Sequence, residues 1–214
     1  MAEWLNTTFY GLDSGVFSAM HGMAEKMGGV LTPLSKIITL FGEKGLVFFL
    51  AGVILMLFPK TRKLGICMFG AVACGALVTN IALKNVVERV RPFEHNAQFH
   101  EFWEYIGSPA EDGFCFPSGH VTAITAAAVS LFIFCNKKWS WVGFLGVIFM
   151  GFARVYLIHH YFTDVLAGII VGAVSGIIAF FITKLIYFLL EKNSEKKFCD
   201  FCLNANVKNL FRRK

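Results

Sequence analysis

Four ionisable side chains lie within one short and otherwise apolar stretch of the sequence, GFARVYLIHHYFTD. They are Arg154, His159, His160 and Asp164. Ionisable groups beside a long apolar segment are energetically expensive, so by default they indicate a functional site. His160 and Asp164 are four residues apart, a spacing that places two side chains on one face of a helix. A carboxylate behind an imidazole fixes its tautomer and raises the basicity of the far nitrogen, which suits a nucleophile or a proton carrier.

His159 is five residues from Asp164, and this spacing predicts that its side chain points elsewhere. An alternative interpretation of the whole stretch is an interfacial cluster of histidine and arginine side chains that reaches for water without doing chemistry. This stretch alone leaves both interpretations open.

A second group of charges lies on the polar extension that follows the second apolar run. Asn80, Lys84, Glu88 and Arg91 recur there at intervals of four, four and three residues, which predicts one shared helix face. Lys84 and Arg91 are then two turns apart, about 10 Å along the axis, and could hold an anion between them. The alternative is a pair of cations that reach for water, with Glu88 as their partner.

The third group is the segment Pro117-Ser118-Gly119-His120, at the start of another apolar run. Ser118 is a favourable N-cap residue, so the free amides of Gly119 and His120 are expected at the positive end of a helix. Such a helix start binds anions, and His120 could donate a proton to one. The alternative is a capped helix with an incidental histidine.

Composition assigns these residues to a membrane protein. The chain has 214 residues, of which 56% are hydrophobic and 16% are charged, and its mean hydropathy is +0.62. A soluble domain carries about 25% charged residues, and here the apolar residues form long uninterrupted runs. We therefore predict a single all-α membrane domain over residues 1–214, a polytopic helical bundle with the lipid bilayer as its partner and no nucleic-acid partner.

The six cysteines follow no regular framework of spacings, which argues against a disulfide scaffold. Cys199 and Cys202 supply two possible metal ligands where a structural zinc takes four, so we interpret this pair as incidental. The sequence therefore predicts neither a metal site nor a cofactor.

About five helices are predicted to cross the membrane. The candidate spans cover residues 41–58, 64–83, 120–135, 139–158 and 165–190. Residues 1–40 are predicted to form an amphipathic region along the membrane surface or against the bundle, interrupted at Gly28-Gly29 and Pro33. Residues 92–112 are predicted to be an acidic and aromatic loop, and residues 191–214 a basic cytoplasmic tail. Glycines recur every four residues in the last span and permit close helix packing; they are Gly168, Gly172 and Gly176.

A topology of five spans brings the three groups of charges together, because the ends of spans two and four and the starts of spans three and five share one side. The side chains collected there are Lys84, Arg91, Ser118, His120, Arg154, His160 and Asp164. On the other side, segments 59–63, 136–138 and 191–214 carry net charges of +3, +2 and +4, although the whole chain is only +6. Lys and Arg accumulate in short cytoplasmic loops, so the site is predicted to face away from the cytoplasm.

Three cations, a helix N-terminus and two histidines at one membrane face suit phosphoryl transfer, which depends mostly on positioning and charge neutralisation. The pattern Lys84-x6-Arg91-Pro92, Pro117-Ser118-Gly119-His120 and Arg154-x5-His160-x3-Asp164 resembles the three-part signature of the type 2 phosphatidic acid phosphatase (PAP2) superfamily. That family is similar in its site to vanadium haloperoxidases and bacterial acid phosphatases. The sequence departs from the pattern at Ala153, where the family usually has a serine, and in the number of spans, which is usually six.

The resemblance implies a role for each matched residue. His160 attacks phosphorus and forms a phosphohistidine while Asp164 orients it, and His120 protonates the leaving oxygen and later helps to activate water. The phosphate oxygens are held by Lys84, Arg91, Arg154, Ser118 and the amide of Gly119. No metal or other cofactor is implied.

The resemblance also implies a membrane lipid phosphate or diphosphate as the substrate. Small members of this kind resemble undecaprenyl diphosphate phosphatases and phosphatidylglycerophosphate phosphatases. An extracytoplasmic site in a bacterial plasma membrane favours undecaprenyl diphosphate, with phosphatidylglycerophosphate or phosphatidic acid as the alternative. Two other classes stay open: a haloperoxidase-like oxidation with bound vanadate, and a catalytically silent membrane transport or assembly protein. No residue indicates the oligomeric state.

Overall fold

Helices make up the regular structure of residues 1–42 and 45–205, the part of the chain that the computed structural model describes. In chain order they are α1 (Ala2–Thr8), α2 (Tyr10–Phe41), α3 (Leu46–Met56), α4 (Arg62–Ala76), α5 (Lys84–Val87), α6 (Pro92–His95), α7 (Ala97–Tyr105), α8 (Gly119–Phe134), α9 (Lys137–Ser140), α10 (Val142–Tyr156), α11 (Phe162–Lys192) and α12 (Lys197–Asn204). A π-helical segment, Leu77–Leu83, joins α4 to α5. The predicted all-α membrane bundle is confirmed.

The number of helices that can cross a membrane is smaller than the sequence suggested. In the described residues, three stretches are long and apolar enough, Arg62–His95, Lys137–Tyr156 and Phe162–Lys192, and a fourth is added if α2 and α3 form one bent span. The predicted first and third spans correspond to α3 and α8, which have 11 and 16 residues. Each is shorter than the roughly 20 residues that a straight helix needs to cross the hydrocarbon layer.

Glycines on α11 let it lie directly against α8. A Cβ added to Gly172 would be 2.5 Å from the Thr122 carbonyl oxygen, and one added to Gly168 would be 2.8 Å from that of Ser118. A side chain at either position would therefore force the helices apart, and the close packing predicted from the glycine spacing is confirmed. It also joins the starts of the two helices, because the Ser118 amide donates a hydrogen bond to the Asp164 carbonyl at 3.1 Å.

The predicted interruption at Gly28-Gly29 and Pro33 is wrong, because α2 is one continuous helix with Pro33 inside it. An interior proline costs about 3 kcal/mol of helix stability. Contacts on both sides of Pro33 offset that cost: Thr32 Oγ1 is 2.9 Å from the Tyr156 hydroxyl, and Lys36 donates to the Gly107 carbonyl at 2.7 Å. Tertiary packing thus overrides the local preference of the sequence.

The second predicted helix ends earlier than expected. The predicted shared face of Asn80, Lys84, Glu88 and Arg91 requires a helix over all four residues, but α5 stops at Val87 and Glu88 adopts a left-handed conformation with φ of 52°. Arg91 is extended and caps α6, as the residue before Pro92 favours. Lys84 and Arg91 therefore do not share a helix face. The predicted loop that follows contains α6 and α7.

The opposite end of the bundle gathers the basic segments. The Arg62 guanidinium donates to the carbonyls of Cys202 and Leu203 at 3.0 and 2.8 Å, and Lys63 lies 3.8 Å from the Glu191 carboxylate. The turn before α4 therefore meets the end of α11 and the start of the tail. Two segments on one side of a membrane require an even number of crossings between them, and the four predicted spans from 64–83 to 165–190 supply that number.

Candidate active site

His160 lies in the short turn between α10 and α11, where the chain forms a cap. Asp164 is the third residue of α11, and its Oδ2 accepts a hydrogen bond from the Tyr161 amide at 3.0 Å. The same oxygen is 3.6 Å from His160 Nδ1. The sequence placed His160 and Asp164 on one helical turn, and that detail is wrong because α11 begins only at Phe162. The capping interaction, rather than helical spacing, brings the two side chains together.

His159 points away from Asp164 and contacts the loop before α8. Its Nε2 is 2.7 Å from the Pro109 carbonyl oxygen and 3.0 Å from Ser108 Oγ. Burial, together with the nearby charge of Arg154, lowers the pKa of His159 to about 4. The ring is therefore neutral at neutral pH. The Nδ1 of the same ring is 3.2 Å from Glu111 Oε1, so an acceptor oxygen lies on each side of the imidazole.

Burial also lowers the pKa of His160 well below its ordinary value, and the charges of Arg154 and Arg91 add to the effect. The His160 side chain is only 2% exposed, yet it lines the cavity described below. A neutral imidazole keeps a lone pair on one ring nitrogen. His160 thus has the protonation state of a nucleophile, and the Asp164 carboxylate lies behind its Nδ1.

Arg154 and Arg91 converge on one carboxylate from the loop. Glu111 Oε1 is 2.6 Å from Arg154 Nη1 and its Oε2 is 2.5 Å from Arg154 Nη2. Arg91 Nη1 is 3.2 Å from the same Oε2. Arg91 is itself fixed by backbone carbonyls, including that of His159 at 2.9 Å. The two guanidinium groups therefore form a clamp with the shape and charge that bind a planar or tetrahedral oxyanion.

The Glu111 carboxyl is strongly ionised in this clamp. Burial raises its pKa, but the hydrogen bonds and charge of Arg154, and the charges of His159 and Arg91, outweigh burial and lower the pKa to about 2. A carboxylate with this pKa is charged throughout the physiological range. It is therefore held at full negative charge between two arginines.

The start of α8 faces the same region. Ser118 is the N-cap residue of this helix, as predicted, but its hydroxyl makes no capping hydrogen bond. That hydroxyl and Arg154 Nε are among the buried polar atoms without a partner in the part of the chain that the structure describes. Both groups therefore have hydrogen-bonding capacity that a ligand could use.

A cavity of about 730 Å³ opens in front of these groups. Five of the eight predicted site residues line it, namely Lys84, Arg91, Gly119, His120 and His160. The other three, Ser118, Arg154 and Asp164, are fully buried directly behind this lining. The structure therefore brings all eight predicted site residues to one place. Ala153, which departs from the family pattern, is also fully buried.

Three charged residues at this site were missed by the sequence analysis. They are Glu111 in the clamp, and Arg89 and Asp13, which form a buried network behind Asp164. Arg89 has no exposed surface and Asp13 only 2%. The sequence feature that could have indicated these three residues is that each is ionisable in a strongly apolar chain. Neither periodicity nor spacing assigned them to the site.

Residues 1–42 and 45–205 contain no group of three or more His, Cys, Asp or Glu side chains placed to hold a metal ion. The charged groups of the site are instead dominated by cations. Metal independence of the reaction stays a prediction.

Comparison with known proteins covers most of the chain. The model of the PAP2 superfamily matches residues 62–187. The chain is 30% identical over 121 residues to an undecaprenyl-diphosphatase of Sulfolobus acidocaldarius, a match over 56% of this chain and 55% of that protein. It is 27% identical over 165 residues to the undecaprenyl-diphosphatase BcrC of Bacillus subtilis, over 77% of this chain and 81% of that protein.

A lipid A 4'-phosphatase of Porphyromonas gingivalis is 27% identical over 132 residues, 59% of this chain and 56% of that protein. The chain thus spans about half the length of this relative and of the archaeal one. Among solved structures, a transmembrane PAP2 type phosphatidylglycerolphosphate phosphatase from Bacillus subtilis matches with a TM-score of 0.56 at 25% identity, covering 91% of this chain and 96% of that one.

Proposed function

This chain belongs to the PAP2 superfamily, and from that premise we propose that it is a membrane phosphatase that hydrolyses a lipid phosphate or diphosphate through a phosphohistidine on His160. The observation that carries the proposal is the clamp around Glu111. Arg154 and Arg91 already hold one oxyanion at the mouth of a cavity that His160 lines. A phosphate group has negative charge like the carboxylate and the same kind of hydrogen-bond acceptor, with one oxygen more for Lys84.

In the first step the substrate phosphate replaces Glu111 between the arginines. The unprotonated ring nitrogen of His160 attacks phosphorus, the P–N bond forms, and the bond from phosphorus to the leaving oxygen breaks. Burial and the charge of Arg154 lower the pKa of His120 to about 3 in the free protein, so His120, in the first turn of α8 on the cavity wall, takes up a proton only when the negative charge of the substrate enters the cavity. It then donates this proton to the leaving oxygen. Asp164 stabilises the positive charge that develops on His160.

In the second step water attacks the phosphohistidine. His120, now unprotonated, takes a proton from that water, the P–N bond breaks, and inorganic phosphate leaves with the electron pair returned to His160. Three cations and the amides at the start of α8 neutralise the charge on the equatorial oxygens in both steps. The Ser118 hydroxyl and Arg154 Nε, which have no partner among residues 1–42 and 45–205, are available to the same oxygens.

The cavity lining supports a lipid as the substrate. One part of the wall carries the charged residues of the site, and another part is apolar, built from Leu40, Val72, Ala76 and Ala123. Leu40 belongs to α2, which exposes several large apolar side chains around it, among them Ile37 and Phe41. A molecule with a phosphorylated head group and a hydrocarbon tail matches both parts.

Undecaprenyl diphosphate is the substrate we propose first, because two relatives bear that activity in their names. Phosphatidylglycerophosphate is the alternative, supported by the similar solved structure.

We also propose that the protein resides in a bacterial plasma membrane with the site on the extracytoplasmic side and the C-terminus in the cytoplasm. The charges of +3, +2 and +4 on segments 59–63, 136–138 and 191–214 support this orientation.

The test is phosphate release by the full-length protein purified in detergent. Undecaprenyl diphosphate, undecaprenyl phosphate, phosphatidylglycerophosphate and phosphatidic acid are compared at equal mole fraction in the micelle, and His160→Ala is the matched control. We expect turnover of at least one lipid by the wild-type protein and none by the variant. Folded wild-type protein that releases no more phosphate than His160→Ala from any of these lipids would contradict the proposal.

A further inference from the structure

Arg89 is a fully buried arginine that the reaction described above does not use. Its guanidinium donates to Asp164 Oδ1 and to Thr163 Oγ1, both at 2.7 Å, and to Asp13 Oδ2 at 2.9 Å. Its Nε donates to Asn6 Oδ1 at 2.7 Å. A buried guanidinium with this many fixed partners holds each of them in place.

Asp13 comes from α2, outside residues 62–187 that the family model matches. Its Oδ1 accepts the Thr163 amide at 3.0 Å, and its Oδ2 accepts the Thr163 hydroxyl at 2.8 Å. The amide of Thr163 is one of the free donors in the first turn of α11. The N-terminal helix is therefore bonded directly to the helix start that carries Asp164.

The Asp164 carboxylate is held at both oxygens. Oδ1 accepts from Arg89 at 2.7 Å and Oδ2 accepts from the Tyr161 amide at 3.0 Å. With both oxygens fixed, the plane of the carboxylate is fixed, and Oδ2 faces His160 Nδ1 at 3.6 Å. Of these two hydrogen bonds, only the one from the Tyr161 amide would restrain the Asp164 carboxylate if Arg89 were removed.

The charges in this network also bear on His160. A guanidinium in contact with Asp164 offsets the field that the carboxylate exerts on the imidazole. Asp13, whose Oδ2 is 2.9 Å from Arg89 Nη2, cancels that positive charge. The cluster of Asp13, Arg89 and Asp164 then carries the net charge of one carboxylate. Arg89 can thus orient Asp164 without removing the negative charge that a developing imidazolium needs.

We propose that Arg89 and Asp13 are positioning residues of the reaction, which hold the Asp164 carboxylate against His160 and keep its charge available, so that the N-terminal helix α2 is part of the catalytic apparatus. The inference rests on the proposed function. Neither residue lines the cavity, so both act through Asp164 rather than on the substrate.

Asp13→Asn tests the charge, since it keeps the size of the side chain. We expect kcat to fall by about 10- to 100-fold, the scale of the loss when the outer-shell partner of a metal-ligating histidine is removed. The inhibition constant of inorganic phosphate is expected to stay within about threefold, because Asp13 contacts none of the phosphate-binding residues. Single-turnover measurements should locate the loss in formation of the phosphohistidine.

Glu25→Gln is the matched control, because it removes one carboxylate from the exposed side of the same helix. A merely structural role for Asp13 would reduce the amount of folded protein, and kcat per folded molecule would equal that of Glu25→Gln. That result would overturn the inference. An equal weakening of kcat and of phosphate inhibition would also overturn it.

Arg89→Lys carries the test if Asp13→Asn does not fold. Lysine keeps the charge but lacks the planar fork that reaches Asp164, Thr163 and Asp13 together. We expect the same fall in kcat at unchanged phosphate inhibition, and an unchanged kcat would overturn the inference. A failure of the proposed function gives a different result. The wild-type protein itself is then no more active than His160→Ala, independently of the Asp13 and Arg89 variants.

Discussion

Glu111 and Arg154 form a two-point ion pair, with Oε1 2.6 Å from Nη1 and Oε2 2.5 Å from Nη2. Arg91 is 3.2 Å from the same carboxylate. In our proposal these arginines bind the substrate phosphate, so Glu111 and phosphate compete for one site. The free enzyme then keeps its buried arginines paired, and the substrate must displace the carboxylate to bind.

Glu111→Gln should therefore bind oxyanions more tightly. We expect the inhibition constants of orthovanadate and inorganic phosphate to fall by about tenfold, the scale of one charge-assisted hydrogen bond. The variant should also be less stable without phosphate, since Arg154 and Arg91 lose their buried partner, and phosphate should raise its unfolding temperature more than that of the wild type. Steady-state inhibition and thermal unfolding in detergent measure both effects.

Asp112→Asn is the matched control for this prediction, because Asp112 is exposed in the same loop and only its backbone carbonyl contacts Arg91. It should leave both measurements unchanged. Unaltered or weaker vanadate inhibition in Glu111→Gln would show that the carboxylate does not occupy the phosphate position.

The two adjacent histidines should differ sharply on substitution. His160→Ala should abolish turnover, while His159→Ala should keep much of it, because only His160 lies beside Asp164, at 3.6 Å. His159 instead contacts Ser108 and Pro109. The measurement is phosphate release per folded molecule, together with acid-labile phosphate retained on the protein. Equal losses in the two variants would contradict the assignment of the nucleophile.

Turnover should not require a metal ion and should be inhibited by orthovanadate. Vanadate bonded to His160 becomes five-coordinate and resembles the transition state, and such mimics bind far more tightly than substrates. We expect full activity in EDTA and inhibition by micromolar-range vanadate that is lost in His160→Ala. Activity that disappears in EDTA and returns with magnesium would count decisively against the mechanism.

The orientation in the membrane can be tested with single-cysteine variants. Cys115 at the site end is fully buried and cannot serve as a probe, whereas the native Cys135 at the opposite end is exposed. Glu101→Cys places a thiol at an exposed position of α7 on the site side. A membrane-impermeant thiol reagent should label Glu101→Cys in intact cells and Cys135 only after lysis. The reverse pattern would place the site in the cytoplasm.

Acid should destabilise the folded protein, in part through His159. Its pKa is lowered from 6.5 to about 4 in the folded state, so between these values the unfolded state binds more protons and stability falls as the pH falls. The loss from this residue reaches about 3 kcal/mol below pH 4. Near pH 5, the unfolding free energy of the wild-type protein should rise with pH more steeply than that of His159→Gln. The difference between the two slopes should correspond to about one bound proton. An unchanged pH dependence in thermal unfolding would show that His159 is not buried in its neutral form.

Much of the fold class and of the site could be predicted from linear features of the sequence. Long apolar runs and few charges specify a membrane bundle, since each helix must satisfy its own backbone within lipid. The glycines of α11 at four-residue intervals predicted its close contact with α8, because a helix repeats a face at that spacing. The order of charged motifs at the ends of successive runs was enough to predict that His120, Arg154 and His160 meet at one end.

Local patterns were less reliable wherever the chain leaves a regular helix. The expected helical face of Lys84 and Arg91 is absent because Glu88 turns the chain at φ of 52°. Pro33 does not break α2, because contacts of Thr32 and Lys36 with distant segments hold the helix together. At Pro33 the long-range contacts thus outweighed a local preference of about 3 kcal/mol.

By itself the sequence determined that the protein is a helical membrane protein with an arginine- and histidine-rich site, because composition and periodicity act over a few turns of one helix. Only the tertiary structure decided which charges become partners. Arg89 meets Asp164 across 75 residues, Asp13 meets Thr163 across 150, and Glu111 meets Arg154 across 43. No local pattern encodes such pairings. They form because a charge buried by helix packing is stable only beside an opposite charge, and the packing itself selects which one is within reach.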